Sequence, residues 1–329
     1  MAIPGNLLSA ATESMDPSPT AGWRPRQNST ISTGAGGRNG GPNCLLMRSS
    51  AAGAMSVETI SAYPVTPGQT YQTFADAAGA DQPERIGLNW LDDSYTNVGP
   101  ITWALTTSAA SSSWHRIGVA GPAPAGATRV RVVFESTTTA AGKINYLENV
   151  YLGAPIRTSG NLFSFATESS EIAVGDWTVL ANATLSRQVL PFTWSVDNYT
   201  AGGHVLTLTA TAAGNAAALA TNGPQVTPGR EYVAYAYLQP PTVASTCWIE
   251  LRTFDAAGNQ ISADRSTLAA PASTGMYRQR ASAVALPNAA SASVAVGMDG
   301  AAAGQVMRVE TVVLTPAPPL APGSVIPYK

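Results

Sequence analysis

Residues 6–14 read NLLSAATES and residues 161–169 read NLFSFATES, sharing seven of nine letters at an offset of 155 residues. Further matches follow in the same order. Trp23 returns as Trp177, and Leu45–Gly53 (LLMRSSAAG) as Leu206–Gly214 (LTLTATAAG). Val65-Thr-Pro-Gly68 with Tyr71 returns as Val226-Thr-Pro-Gly229 with Tyr232, and Leu91-Asp92 as Phe254-Asp255. Trp114-His-Arg116 stands opposite Tyr277-Arg-Gln279, and Leu147-Glu-Asn-Val-Tyr-Leu152 opposite Val309-Glu-Thr-Val-Val-Leu314. Ordered matches whose offset drifts, as loop insertions make it drift, identify an internal duplication.

Each copy reads as β-structure. Leu45 and Met47, Leu206 and Leu208, and Val130, Val132 and Phe134 alternate with smaller or more polar residues, the period of two of a half-buried strand. VTPG suits a turn, with proline presetting φ and glycine supplying φ > 0, and the tyrosine after it opens a new strand. Short strands with Gly, Pro, Asn and Ser between them predict an all-β chain of two tandem antiparallel β-sandwich (jelly-roll) domains. The expected boundaries are 1–155 for module 1, 156–160 for a short linker, 161–315 for module 2 and 316–329 for a Pro-rich tail. NLLSAATES itself reads as the opening strand of each sandwich.

Composition bounds the function. Hydrophobic residues make up 45% of the 329 and charged residues only 12%, about half of the roughly 25% usual in soluble domains. A net charge of −2, with Lys143 and Lys329 the only lysines, gives no basic surface for collecting phosphates, so nucleic acid is not an expected partner. No run of eighteen apolar residues is present to insert in a membrane. The N-terminus lacks the charged and apolar regions of a signal peptide, which predicts assembly in the cytosol. Cys44 and Cys247 occupy non-corresponding positions, which predicts two reduced, buried thiols rather than a disulfide framework or a zinc site.

The opening N-L-(L/F), the acidic residue that follows, the G-W or D-W turn, V-T-P-G-x-x-Y and the closing hydrophobic-acidic-x-V-x-L together resemble family 4/9-type carbohydrate-binding modules. The resemblance covers nearly all of both repeats and implies a galactose-binding-like jelly roll. It also implies a structural calcium between the first and last strands, where Glu13 and Glu148 in one copy, and Glu168 and Glu310 in the other, would be the carboxylate ligands. Pairing with arginine, or plain exposure, is the alternative role for these four. Tandem modules of this kind, Ala/Gly/Thr-rich and opening with NLL, look like minor tail proteins of long-tailed phages of GC-rich bacteria. That likeness implies a non-enzymatic virion protein with other virion proteins as partners and host surface glycan as a contact. A capsid decoration or head-fibre protein, and the glycan-binding modules of a larger carbohydrate-active enzyme, are the alternatives. Self-association stays open: no heptads enforce an oligomer, but so uncharged a surface favours packing against neighbours.

Side chains for catalysis are sparse. His115 and His204 have no triad partners nearby in sequence and read as surface or loop histidines. The glycine-rich stretch 34–41 lacks the Lys-Ser/Thr ending of a phosphate loop. Asp92-Asp93 faces a lone Asp255 in the second copy, so turn formation explains it. Among the aromatics, recurring Trp23/Trp177, Tyr71/Tyr232 and Trp114/Tyr277 read as scaffold, and Trp90 shares parity with Ile86 and Leu88 and points inward. Trp248 differs: it alternates against Ile249 and Leu251, and its face continues with Glu250 and Arg252. Trp248, Glu250 and Arg252 are therefore the leading ligand-contact candidates, as a sugar platform or a protein contact, with Trp103 and Tyr95 behind them. Trp194 and Tyr199, also without counterparts, are weaker still.

Overall fold

The computed structural model describes residues 3–37, 42–79, 83–106, 111–189 and 202–318. Trp194, Tyr199, most of the glycine-rich loop's second half and most of the Pro-rich tail lie outside the described residues. The chain divides into two compact units. One is Met1–Arg157 with Ser169–Ala173 and Arg187–Leu206; the other is Thr158–Glu168 with Val174–Ser186 and Thr207–Lys329.

The first repeat contains β1 (Trp23–Gln27), β2 (Ser29–Ala35), β3 (Asn43–Ser49), β4 (Gly53–Thr59), β5 (Tyr63–Pro64), β6 (Thr70–Gly79), β7 (Glu84–Leu91), β8 (Thr102–Trp103), β9 (Ser111–Pro122), β10 (Arg129–Thr138) and β11 (Ile144–Gly153). They form two sheets, β1-β4-β10-β7-β8, with β5 also on β10, and β2-β3-β11-β6-β9. Both sheets send every second side chain into one core: Leu45, Met47, Ile117, Val119 and Leu147 from one, and Met55, Val57, Ile86, Leu88, Trp90, Val130, Val132 and Phe134 from the other. That interleaving is what makes the repeat a sandwich.

The second repeat contains β12 (Trp177–Ala181), β13 (Ala183–Val189), β14 (His204–Ala210), β15 (Gly214–Ala220), β16 (Glu231–Gln239), β17 (Thr246–Phe254), β18 (Gln260–Ala269), β19 (Tyr277–Val284), β20 (Ser291–Ala301) and β21 (Val306–Pro316). Its sheets run β12-β15-β20-β17-β18 and β13-β14-β21-β16-β19, the same order strand for strand, with antiparallel pairing throughout the first sheet and of β16 with β19 and β21 in the second. The chain is all-β, two tandem antiparallel β-sandwiches.

NLLSAATES is not a strand. Ala10–Ser14 (α1) and Phe165–Ser169 (α2) are five-residue helices, too short to display a 3.6-residue stripe, and Ser9 caps the first by accepting from Thr12 N. The leading residues clamp the end of the repeat to its beginning. Asn6 donates to Val150 O at 2.8 Å and accepts from Leu152 N at 2.9 Å; Asn161 does the same to Val312 O and Leu314 N, both at 3.0 Å. Leu7 N reaches Leu152 O at 2.7 Å, and Leu162 N reaches Leu314 O at 2.8 Å. The motif recurs because each copy must fasten its own closing strand. That strand bulges at the same place in both, with Asn149 at φ 51° and Thr311 at φ 50°.

A further expectation changes. His115 and His204 are buried, not at the surface. His115 Nε2 lies 2.5 Å from Glu84 Oε1, whose second oxygen accepts from Asn145 at 2.6 Å; His204 Nδ1 lies 2.8 Å from Glu171 Oε2. Burial of these polar groups is offset by pairing them with each other. The VTPG turns fold alike, with Thr66 N donating to Tyr71 Oη at 2.9 Å and Thr227 N to Tyr232 Oη at 2.8 Å.

Candidate functional site

The sheet β1-β4-β10-β7-β8 and its counterpart β12-β15-β20-β17-β18 each carry one face into the core, leaving the alternate residues on an outward face. In the second repeat that face holds Trp248, Glu250 and Arg252, as the alternation of β17 predicts. Trp248 is not an open platform, however: it is only 2% exposed. The ring packs with Ala217, Ala295 and Leu219. It also lies on Gly297, where an added Cβ would stand 2.3 Å from Cζ2. Its Nε1 donates to Asp299 at 2.8 Å, and the Arg265 guanidinium covers it at 4.0 Å from the ring centroid. Glu250, also buried, fixes that cover by accepting from Arg265 Nε at 2.6 Å and from Arg252 Nε at 2.7 Å. Sealing by an arginine on the neighbouring strand is the physical reason no sugar face can stack there as the side chains stand.

Trp103 in the first repeat has the same surroundings built from different positions. It lies on Gly87, where an added Cβ would stand 2.5 Å from Cε3, and Arg85 covers it at 4.2 Å. Glu135 holds Arg85 through Nε at 2.8 Å. The register makes the relation explicit. Arg85 pairs with Glu135 and Gly87 with Trp103, while Trp248 pairs with Gly297 and Glu250 with Arg265. Aligned on Leu91-Asp92 and Phe254-Asp255, Arg85 takes the place of Trp248, Trp103 of Arg265, Gly87 of Glu250 and Glu135 of Gly297. All four residues have exchanged roles, and the stack of glycine, tryptophan, arginine and glutamate is kept.

Tyr95 lies at the rim of the first face, 53% exposed and at φ 62°. Asp92 builds its turn by accepting from Ser94 N at 2.8 Å and Thr96 N at 2.9 Å. Arg129 and Arg131 approach the Tyr95 ring at 5.2 and 5.6 Å. The face continues into residues that the sequence reading passed over. Glu58 of β4 accepts from Arg24 Nε at 3.0 Å, with Arg26 at 3.5 Å and Arg131 at 3.6 Å from its oxygens. Their signal was present in Arg24-x-Arg26 and Arg129-x-Arg131, period-two arginines flanking inward-facing residues, but which strands lie side by side is not written locally.

The structure places the four glutamates named for a calcium site at the two ends of each repeat. Glu13 accepts from Ile3 N and Glu168 from Thr158 N, both at 2.7 Å, so each anchors the segment that enters its repeat. Glu148 is buried beside Gly37, and Glu310 accepts from the Thr311 hydroxyl. Among the described residues, no group of three or more His, Cys, Asp or Glu side chains could hold a metal ion.

Burial pushes the thiols up, Cys44 to about 11 and Cys247 to about 12, with Glu148 and Asp299 adding to it. Both cysteines are free and buried. An open cavity of about 260 Å³ lies in the second repeat between Leu219, Thr221, Phe254, Gly258 and Ser293.

No protein-family model matches the chain, and no curated protein matches it. Solved structures similar to it include the tandem of two family 22 carbohydrate-binding modules from Paenibacillus barcinonensis Xyn10C, at 12% identity over 96% of this chain and 99% of that one, with a TM-score of 0.37. The enzymatically active domain of bacteriophage CBA120 tailspike protein 4 is similar at 15% identity over 45% and 21% of the two chains, with a TM-score of 0.37. A family 22 xylan-binding domain is similar at 17% identity over 51% and 99%, with a TM-score of 0.34.

Proposed function

We propose that the chain is a non-enzymatic virion protein, a minor tail protein, that attaches to the particle and contacts host surface glycan through its first repeat. The observation that carries the glycan contact is the outward face of β1, β4, β10, β7 and β8. There, a field of guanidinium groups is held on the sheet, with the exposed Tyr95 on the turn at its rim. The groups best suited to nucleophilic or acid–base chemistry are engaged elsewhere. Both histidines are buried against glutamates, and thiols raised to about 11 and about 12 stay protonated at neutral pH. The attachment to a phage particle rests on the tandem, Ala/Gly/Thr-rich, NLL-opening pattern of the sequence.

Immunogold labelling of intact particles tests the reading, with gold expected along the tail. Label on the head makes the chain a decoration or head-fibre protein. Particles without label overturn the virion reading and favour glycan-binding modules of a larger carbohydrate-active enzyme.

A further inference from the structure

The charge on the first repeat's outward face is unbalanced, and its layering matters. Five guanidinium groups, of Arg24, Arg26, Arg85, Arg129 and Arg131, meet the carboxylates of Glu58, Glu135 and Asp93. The excess is two positive charges on a protein whose net charge is −2. Asp92 stands near, turned to the amides of its own loop, and counting its charge with the face lowers the excess to one. The sheet's two acids lie below the bases. The side chains of Glu58 and Glu135 are 8% and 12% exposed, against 44% for Arg24, 32% for Arg85 and 34% for Arg129. Carboxylates beneath guanidiniums leave Arg24, Arg85 and Arg129 to meet solvent, while Arg131, at 13%, stays covered.

The cations are also under-coordinated. Glu58 alone serves three arginines, and two of those contacts exceed hydrogen-bond length, at 3.5 and 3.6 Å. The Nε atoms of Arg129 and Arg131 are buried without a hydrogen-bond partner, so only the outer nitrogens of these guanidiniums can turn to a ligand. Meanwhile the ring of Trp103 is covered by Arg85, so bare stacking is not what this face offers.

We propose that this face binds a polysaccharide bearing uronic acids. The inference rests on the glycan-contact reading above and narrows its ligand. A planar carboxylate matches the guanidinium fork, as Glu58 and Glu135 already demonstrate from below. Tyr95, 53% exposed, offers ring area to a pyranose beside that carboxylate. A polyol-phosphate chain satisfies the cations and leaves the tyrosine unused, which favours uronate over phosphate. The second repeat has no such excess on its corresponding face, where Arg252 and Arg265 meet Glu250 and Asp299.

Calorimetry of the full chain with polygalacturonate, neutral xylan and a glycerol-phosphate polymer tests this. Polygalacturonate is expected to bind, to weaken as salt rises, and to exceed neutral xylan by about tenfold or more. Arg24→Gln, at an exposed position, with Arg129→Gln, at a half-buried one, should lower its affinity by about tenfold while the urea unfolding midpoint holds. Arg278→Gln, exposed on the second repeat, should leave it unchanged. Equal binding of xylan, tighter binding of the phosphate polymer, or an equal loss with Arg278→Gln overturns the proposal. Xylan binding abolished by the double variant sinks the acidic ligand and keeps the glycan contact. Failure of every polymer, with gold still on the tail, sinks the ligand and the contact but not the particle role.

Discussion

The two outward faces solve one packing problem with exchanged parts. In the first repeat arginine sits on β7 and tryptophan on β8; in the second, tryptophan sits on β17 and arginine on β18. Glycine and glutamate have traded places with them. The difference teaches that the requirement is relational. A flat ring needs a residue without Cβ beneath it, a guanidinium over it and a carboxylate to hold that guanidinium. Changing one member alone leaves a steric clash or an unpaired buried charge, so such a set diverges as a block. The exchange has a further consequence. Trp248 ends on a central strand and is sealed, whereas Trp103 ends on the short edge strand β8 and stays half-buried.

The largest effect that would break the comparison is at the glycines. At Gly297 a new Cβ meets Trp248 Cζ2 at 2.3 Å and the Ala216 backbone oxygen at 2.7 Å, while at Gly87 the nearest atoms all belong to side chains. Gly297→Ala is expected to cost about 3 kcal/mol in urea unfolding, and Gly87→Ala about 1 kcal/mol, because only the second clash can relax. Equal costs would mean that the two stacks are equally sealed. Next, Trp248→Ala should cost about 3 kcal/mol, as for a fully buried ring, and Trp103→Ala about half as much. A double-mutant cycle on Arg85 and Glu135, set beside one on Arg265 and Glu250, should return coupling of about 1 kcal/mol in each repeat.

Much of this architecture was legible in the sequence, and the reason is periodicity. Strand alternation placed Trp90 inside and Trp248 outward, and the duplication marked two modules of one kind. What was not legible depends on pairs distant in sequence. Arg265 seals Trp248 from seventeen positions away, through a strand register that no local pattern states. His115 looks like a surface histidine until Glu84, on another sheet, is brought to 2.5 Å. NLLSAATES looks like a strand for the opposite reason. Its content is local, but a five-residue helix is shorter than the period that identifies one, and its leucines imitate a strand.

The caps of those helices sharpen the comparison by a smaller amount. Ser9 Oγ accepts from Thr12 N at 3.3 Å, whereas Ser164 Oγ accepts from Thr167 N at 3.1 Å and also donates to Asp176 at 2.9 Å. Ser9→Ala should cost about 0.5 kcal/mol and Ser164→Ala about 1 kcal/mol, read from the shift in urea midpoint at constant m-value. The reverse order would show that the aspartate, not the serine, organises the second helix.

The smallest effect concerns the paired turns at Asp92 and Asp255. The Asn259 side chain, at 3.0 Å, holds the Asp255 carboxyl below the usual carboxylate range, helped by the backbone amides of Asn259, Ala257 and Gly258. A carboxylate whose pKa is lowered by folding contributes stability that is complete above its unfolded pKa and is lost as pH falls through the folded one. Asp255 is fully exposed, so solvent screens the effect and global stability should hardly register it. The carboxyl carbon itself should. In an NMR titration, Asn259→Ala removes the largest cause and should move the Asp255 midpoint upward toward an ordinary aspartate. If Asp255 does not move, the backbone amides alone set its acidity. The two turns then become equivalent, because amide donors are what Asp92 already has.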